Sequence, residues 1–202
     1  LSDRRRRLEG LFHGLENHSH RFDLSPCTMD RSCAQDWLIE AGGGQIDGVI
    51  VKDRNGPYLP GERAMLKVKA VRTADCVVGG FRYKAGNQLV GSMLLGLYNS
   101  DGELDHVGFT STVSNEDRPA LTRKLEAISQ PPGFTGKAPG GPSRWSTDRS
   151  SDWQPVRPDL VVEVRFDHVT GRRFRHGTKL VRWRPDKRPD QCTFEQIAVP
   201  MP

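Results

Sequence analysis

Ile46-Asp-Gly-Val-Ile-Val-Lys52 and Met65-Leu-Lys-Val-Lys69 are two short stretches that predict β-strands and carry one acid and three lysines. Side chains of a strand alternate between its two faces, so Lys67 and Lys69 project together. Two neighbouring ammonium groups repel each other unless an anion, an acid or water lies between them. The pattern therefore indicates a pocket for phosphate groups, with an ordinary exposed strand face as the alternative.

The sequence before and between these strands predicts helices and turns. Ser2 is a suitable N-cap for a helix that runs to about Leu11, and a second helix is expected to begin at Asp30. Gly42-Gly-Gly44 is expected to end that helix. The first strand is nearly continuous in apolar residues, which is typical of a buried strand.

After Lys69 the pattern changes to a series of strands interrupted by one helix. The Asn99–Gly102 turn precedes the third strand, and a helix capped by Ser114 or Asn115 follows it to about Ile128. Five short strands with a helix between the third and fourth are the order of an OB barrel, so we place a boundary near residue 70. The predicted strands are Asp75–Tyr83, Gln88–Tyr98, Glu103–Thr110, Leu160–His168 and Arg173–Arg184.

Composition and local sequence argue against a membrane protein and against a secreted protein. The 202 residues are 35% hydrophobic, and the mean hydropathy is −0.61. No apolar stretch approaches the roughly 18 residues that a membrane helix needs. The first residues lack the apolar centre of a signal peptide, which favours the cytoplasm, and the four cysteines form no CxxC pair, which favours reduced thiols.

Positive charge is concentrated near the end of the chain. The net charge is +5, and residues 172–188 hold eight Lys and Arg against one acid. Such clustering favours a polyanionic partner. Arg173, Arg175 and Arg182 alternate so that they can line one barrel face and contact DNA phosphates without reading sequence, and the alternative is a solvated hairpin.

Three blocks in this order resemble the ATP-dependent DNA ligases, specifically the small bacterial type. Asp47-Gly-Val-Ile-Val-Lys52 is similar to the fourth motif of that superfamily, E-G-hydrophobic-hydrophobic-x-K. Leu66-Lys-Val-Lys69 is similar to the fifth, K-x-K, and Arg182-Trp-Arg-Pro-Asp-Lys187 to the sixth, R-x-D-K. The linking sequence also matches, in Tyr58–Arg63 and Arg72–Phe81.

The resemblance implies an α+β fold with two parts. Residues 1–70 would be the C-terminal remnant of a nucleotidyltransferase (ATP-grasp-like) adenylation domain, and residues 71–202 a five-stranded OB-fold β-barrel. The chain begins at Leu1 within a predicted helix, which suggests a fragment of a longer ligase.

The resemblance also implies roles for residues of the first part. Asp47 would help to bind the catalytic metal, Mg²⁺ or Mn²⁺, although the family favours Glu there. Lys67 and Lys69 would be catalytic and would contact the α-phosphate of ATP, where charge grows during transfer. Lys52 would be a further nucleotide contact.

In the second part, Arg184 and Lys187 would orient the β- and γ-phosphates, with Asp186 supporting them. Closure and reopening of the two domains separates adenylation from nick sealing in this family. The expected partners are nicked duplex DNA and a repair polymerase or end-binding protein, with no membrane, and the chain is expected to be a monomer.

The family's reaction begins when a lysine in K-x-D-G attacks the α-phosphate of ATP. AMP then moves to the 5′-phosphate of a nick, and the 3′-hydroxyl displaces it. Here Gln45 stands where that lysine would precede Asp47-Gly48, and no other K-x-D-G occurs in the chain. The chain alone is therefore expected to lack the first step. The alternatives are a non-catalytic OB module that binds nucleic acid and another nucleotidyltransferase, such as an RNA ligase or a capping-type enzyme.

Overall fold

The chain divides into two units, Leu1–Ala70 (unit 1) and Val71–Pro202 (unit 2). The structure is a computed structural model that describes residues 1–15, 22–41, 48–140 and 152–198. Helices and antiparallel sheets are both present, so the fold class is α+β, as predicted. The expected helix end at Gly42–Gly44 and the metal-binding role of Asp47 concern residues outside those described.

Unit 1 contains two helices and one strand pair. Its elements are α1 (Ser2–Leu15), α2 (Arg31–Glu40), β1 (Gly48–Lys52) and β2 (Met65–Lys69). The start of α2 is confirmed, because the Asp30 side chain caps it by accepting a hydrogen bond from the Ser32 amide at 2.9 Å. Among the described helices of the whole chain, none is long and apolar enough to cross a membrane.

The strand pair β1–β2 is antiparallel, with Gly48 opposite Lys69 and Ile50 opposite Lys67. Gly48 has φ +148°, and a Cβ there would lie 2.1 Å from the carbonyl oxygen of Val68. The close approach of the two strands therefore requires glycine at this position. The prediction that β1 is buried is wrong for its described residues, because Ile50 and Val51 are about half exposed in the structure. A strand is buried only when layers cover both of its faces, and the described part of unit 1 leaves these side chains in solvent.

Unit 2 is built on one large antiparallel sheet. Its strands run in the order β10-β7-β3-β4-β5, with the short β6 added to β3, while β8 and β9 form a separate ribbon. The elements are β3 (Arg72–Tyr83), β4 (Val90–Tyr98), β5 (Leu104–Thr110), α3 (Arg118–Glu126), β6 (Gln154–Pro155), β7 (Val161–Phe166), β8 (Val169–Thr170), β9 (Arg173–Phe174) and β10 (Lys179–Trp183).

The final predicted strand, Arg173–Arg184, is two strands in the structure. β9 pairs with β8, whereas β10 pairs with β7 and places Lys179 opposite Arg165. Between them Thr178 forms a parallel bridge with Thr110, and its amide donates to the carbonyl oxygen of Phe109 at 2.9 Å. The chain divides there because its backbone hydrogen bonds go to the end of β5 instead of continuing one ladder.

The hydrophobic core of the described residues lies in unit 2, and β3 runs through it. Residues 74–81 of β3 are buried on both faces of the strand. A Cβ at Gly79 would lie 2.7 Å from the Phe134 ring, so glycine is needed for that ring to pack on the strand. Helix α3 covers the core with Leu121 and Leu125, which are four positions apart and so lie on one face of the helix.

His106 is a buried histidine in β5, with only 6% of its surface exposed. Its ring packs edge to face on Phe134, with 5.4 Å between ring centroids. Arg173 Nη2 lies 3.1 Å from His106 Nδ1, and an arginine only donates, so Nδ1 accepts. Burial, with the positive charges of Arg173 and Arg82, lowers the pKa of His106 to about 3.

This burial predicts a pH dependence of stability. The folded pKa lies below the value of about 6.5 for an unfolded histidine, so between these values the unfolded chain binds the extra proton. Stability contributed by neutral His106 is therefore present above about pH 6.5 and is lost as pH falls. We expect this residue to reduce the free energy of unfolding by about 2 kcal/mol between pH 7 and pH 5, measured by urea denaturation.

The variant His106→Asn is the comparison, because an amide oxygen can still accept from Arg173 but does not titrate in this range. Between pH 7 and pH 5 the free energy of unfolding of the variant should fall by about 2 kcal/mol less than that of the unsubstituted chain. Equal falls for the two proteins would contradict the assignment.

Candidate phosphate-binding residues

The lysines of β1 and β2 share one face of the strand pair. In an antiparallel ladder, residues directly opposite each other point to the same side. Lys52 is opposite Met65, and Met65, Lys67 and Lys69 alternate along β2, so all three lysines lie on one face. The structure therefore brings together the three lysines that the sequence pattern selected.

Arg184 and Lys187 meet on the carboxylate of Asp75. Arg184 Nη1 lies 2.8 and 3.0 Å from the two oxygens of Asp75, and Lys187 Nζ lies 2.7 Å from Oδ2. Only 11% of the Asp75 side chain is exposed, against 19% for Arg184 and 23% for Lys187. A buried carboxylate is stable only when it is paired and hydrogen-bonded, and here two cations share it.

The remaining edge of the Arg184 guanidinium faces Asp186. Nε lies 3.0 Å from Oδ1 of Asp186, and Nη2 lies 2.9 Å from Oδ2, so the contact is a two-point fork. These hydrogen bonds lower the pKa of Asp186 to about 2. They also raise the pKa of Arg184 above its ordinary value, with a further contribution from the charge of Asp75. Asp186 is 63% exposed, so its carboxylate is accessible to exchange with another anion.

The main chain of Asp75 is held by a second contact from the end of unit 2. The Asp75 amide donates to Oε1 of Gln196 at 2.9 Å, and Nε2 of Gln196 donates to the Asp75 carbonyl oxygen at 3.0 Å. Both polar backbone groups of Asp75 are thus bound to one side chain. The position of the carboxylate is fixed by its strand and by Gln196 together.

The three arginines predicted to contact DNA have different surroundings. Arg173 is held by His106, and Arg182 Nε lies 2.7 Å from Oε2 of Glu163. Arg175 is exposed, and its amide donates to the carbonyl oxygen of His168 at 3.0 Å. Because the final strand is divided, Arg173 and Arg182 belong to different strand pairs, β8–β9 and β7–β10.

Sequence reasoning missed the acidic and neutral partners of these cations. Asp75 stands within the apolar run Ala74-Asp-Cys-Val-Val78, and a charge within a buried strand requires a partner. The sequence therefore indicates that Asp75 has a partner, but it does not indicate which residue the partner is. Glu163 and His106 carry no comparable pattern in the sequence.

The described residues contain no group of three or more His, Cys, Asp or Glu side chains that could hold a metal ion. The predicted metal ligand, Asp47, lies outside the described residues. Phosphate binding, unlike metal binding, has candidate residues among those described. The lysine face of β2 and the pair Arg184 and Lys187 have the donor chemistry that phosphate oxygens require.

Comparisons with known proteins identify the family. Residues 86–187 match the family described as the ATP dependent DNA ligase C terminal region. The chain is 44% identical to DNA ligase C1 of Mycolicibacterium smegmatis over 85% of its own length and 50% of that protein. It is 41% identical to DNA ligase C2 of the same organism, over 99% of its own length and 60% of that protein.

Among solved structures, the chain resembles the crystal structure of the ligase domain from M. tuberculosis LigD, with a TM-score of 0.52 and 30% identity. That likeness covers 71% of this chain and 46% of the other. The chain spans half to three fifths of the length of the two curated relatives. The family match and both relatives show that the chain belongs to the ATP-dependent DNA ligase family.

Proposed function

We propose that this chain is the C-terminal part of an ATP-dependent DNA ligase that seals nicks in duplex DNA during repair, replication or recombination. In this proposal unit 1 is the end of the adenylation domain and unit 2 is an OB-fold domain. The observation that carries it is the pairing of Arg184 and Lys187 on Asp75, because these two cations belong to the R-x-D-K block. Membership of the family and the lysine face of β2 support the same conclusion.

The topology of unit 2 supports the OB-fold assignment. Its long first strand, β3, pairs with both β4 and β7, and α3 lies between the third and fourth of the long strands. The parallel bridge of Thr110 with Thr178 links the end of β5 to the start of β10. β5 and β10 are the two edge strands of the sheet, and a link between them brings the sheet towards closure, as a barrel requires.

The proposed substrate is ATP, with Mg²⁺ or Mn²⁺ as the metal. Lys67 and Lys69 would bind the α-phosphate, and Lys52 would be a further contact. Arg184 and Lys187 would bind the β- and γ-phosphates. When bound, the metal would neutralise phosphate charge, and Asp47 is the residue proposed to hold it.

Nicked duplex DNA is the proposed polyanionic partner. Arg173, Arg175 and Arg182 would contact its phosphates. A repair polymerase or end-binding protein remains a proposed partner, and a cytoplasmic monomer the proposed state. A stand-alone OB module that binds nucleic acid is the runner-up, and it differs in having no adenylation activity. The R-x-D-K block favours DNA ligase over an RNA ligase or a capping-type enzyme.

Adenylation tests the enzymatic part of the proposal. The chain incubated with labelled ATP and magnesium should form no covalent adenylate, because it contains no lysine in a K-x-D-G sequence. If its coding frame continues upstream into that sequence, the extended chain should form the adenylate and seal a nicked duplex. A labelled adenylate on the 202-residue chain would show that the nucleophile is present after all. An extended chain with K-x-D-G that never adenylates would favour the binding module.

Salt dependence tests the contact with DNA phosphates. Binding to a nicked duplex should weaken as salt rises, with a slope of about −0.9 in log–log form for each phosphate neutralised. Each of the substitutions Arg173→Ala, Arg175→Ala and Arg182→Ala should make the slope less negative by about one. Fluorescence anisotropy across a salt series measures both quantities.

Arg157→Ala is the matched control, because Arg157 is an exposed arginine of unit 2 that pairs with Asp159 outside the basic segment. It should leave the slope unchanged. A slope near zero for the unsubstituted chain, or equal effects from all four substitutions, would remove the assignment of phosphate contacts.

A further inference from the structure

The buried carboxylate of Asp75 has no role in the reaction as proposed so far, although it touches both cations of the R-x-D-K block. We infer that Asp75 is a positioning residue for phosphate binding, which holds Arg184 and Lys187 as a pair while their outer donors receive the triphosphate. The inference rests on the proposed function, because it concerns the residues assigned to the β- and γ-phosphates.

The geometry makes Asp75 a fixed member of the cluster. It lies within the buried run of β3, and Gln196 binds both its amide and its carbonyl oxygen. A carboxylate that an incoming phosphate displaces must be able to move into solvent. Asp75 is poorly suited to this, because it is buried in a strand and its backbone is bound by Gln196. Asp186 differs, since 63% of its side chain is exposed.

The arrangement of donors leaves a binding surface while Asp75 stays in place. Asp75 binds Arg184 through Nη1, and the Nε and Nη2 edge lies on the exposed Asp186. That edge is the fork that binds carboxylate or phosphate at two points. The ammonium of Lys187 has three donors, of which the contact with Asp75 uses one.

The charges are consistent with this division of roles. Asp75 contributes one negative charge to two positive ones, so the trio of Asp75, Arg184 and Lys187 carries a net charge of about +1, which the exposed Asp186 on the outer edge of Arg184 balances. Without the carboxylate, two partly buried cations would repel each other and lose their shared position. With it, they stay together, and an anion that replaces Asp186 on the outer edge of Arg184 meets the net positive charge of the trio.

Tripolyphosphate is the probe for the test, and binding to the 202-residue chain is measured by calorimetry. Positioning predicts that Asp75→Asn weakens binding by about tenfold or more, as loss of a charged hydrogen bond does. Simple charge counting predicts the opposite sign, since the variant removes a negative charge beside the anion. Equal or tighter binding by Asp75→Asn would overturn the inference.

The control substitution is Asp159→Asn, which removes an equivalent charge from an exposed ion pair with Arg157 in the same unit. It should leave tripolyphosphate affinity unchanged. The NMR signal of the Arg184 Nη1–H group, which Asp75 binds, adds a readout that loss of stability alone does not move. It should be sharp in the unsubstituted chain and averaged in Asp75→Asn, while distant amide signals keep their positions.

A second measurement covers the case in which Asp75→Asn does not fold. In a crystal structure of the unsubstituted chain with tripolyphosphate, Arg184 Nη1 and Lys187 Nζ should remain within about 3.2 Å of Asp75. Displacement of either group from Asp75 by phosphate would overturn the inference.

Failure of the proposed function has a separate signature. Arg184→Ala and Lys187→Ala should each weaken tripolyphosphate binding, whatever the role of Asp75. If neither does, or if the unsubstituted chain does not bind the probe, the assigned phosphate role fails and the inference fails with it. If both weaken binding but Asp75→Asn does not, only the positioning role is wrong.

Discussion

The pairing of the buried Asp75 carboxylate with Arg184 and Lys187 is the interaction on which the arrangement of unit 2 depends. It joins residues 109 and 112 positions apart in the chain. A buried charge without partners is unstable, so β3 can keep Asp75 in its buried run only when the last segment of the unit folds back onto it. Gln196 strengthens the same connection, because it binds the main chain of Asp75 from 121 positions away.

The basic segment is less uniformly positive in three dimensions than its composition suggests. Glu163 pairs with Arg182, Asp186 pairs with Arg184, and Asp190 pairs with Arg188. In each of these pairs at least one side chain is more than 60% exposed, so water and salt screen the pair and it contributes little to stability. The buried pair on Asp75 differs, because separating it would leave a charge without compensation.

Local patterns predicted much of the fold, and they failed where distant contacts decided the outcome. Asp30 as a helix cap and the strands of unit 2 follow from side-chain hydrogen bonding and apolar alternation, which are local properties. The division of the last strand at Thr178 arises from its pairing with β5, and no local signal marks it. The exposure of Ile50 and Val51 likewise depends on which layers cover β1, which apolar content alone does not tell.

The sequence by itself determined the ligase family, through its three motif blocks, and the common face of Lys67 and Lys69, because alternation along a strand is a property of the backbone. It also selected Arg184 and Lys187 as candidate phosphate ligands. Only the tertiary structure decided that Asp75 holds this pair and that His106 holds Arg173. The physical reason is that hydrogen bonds and ion pairs act over a few ångströms in space, whereas these partners are separated by 67 to 112 positions along the chain.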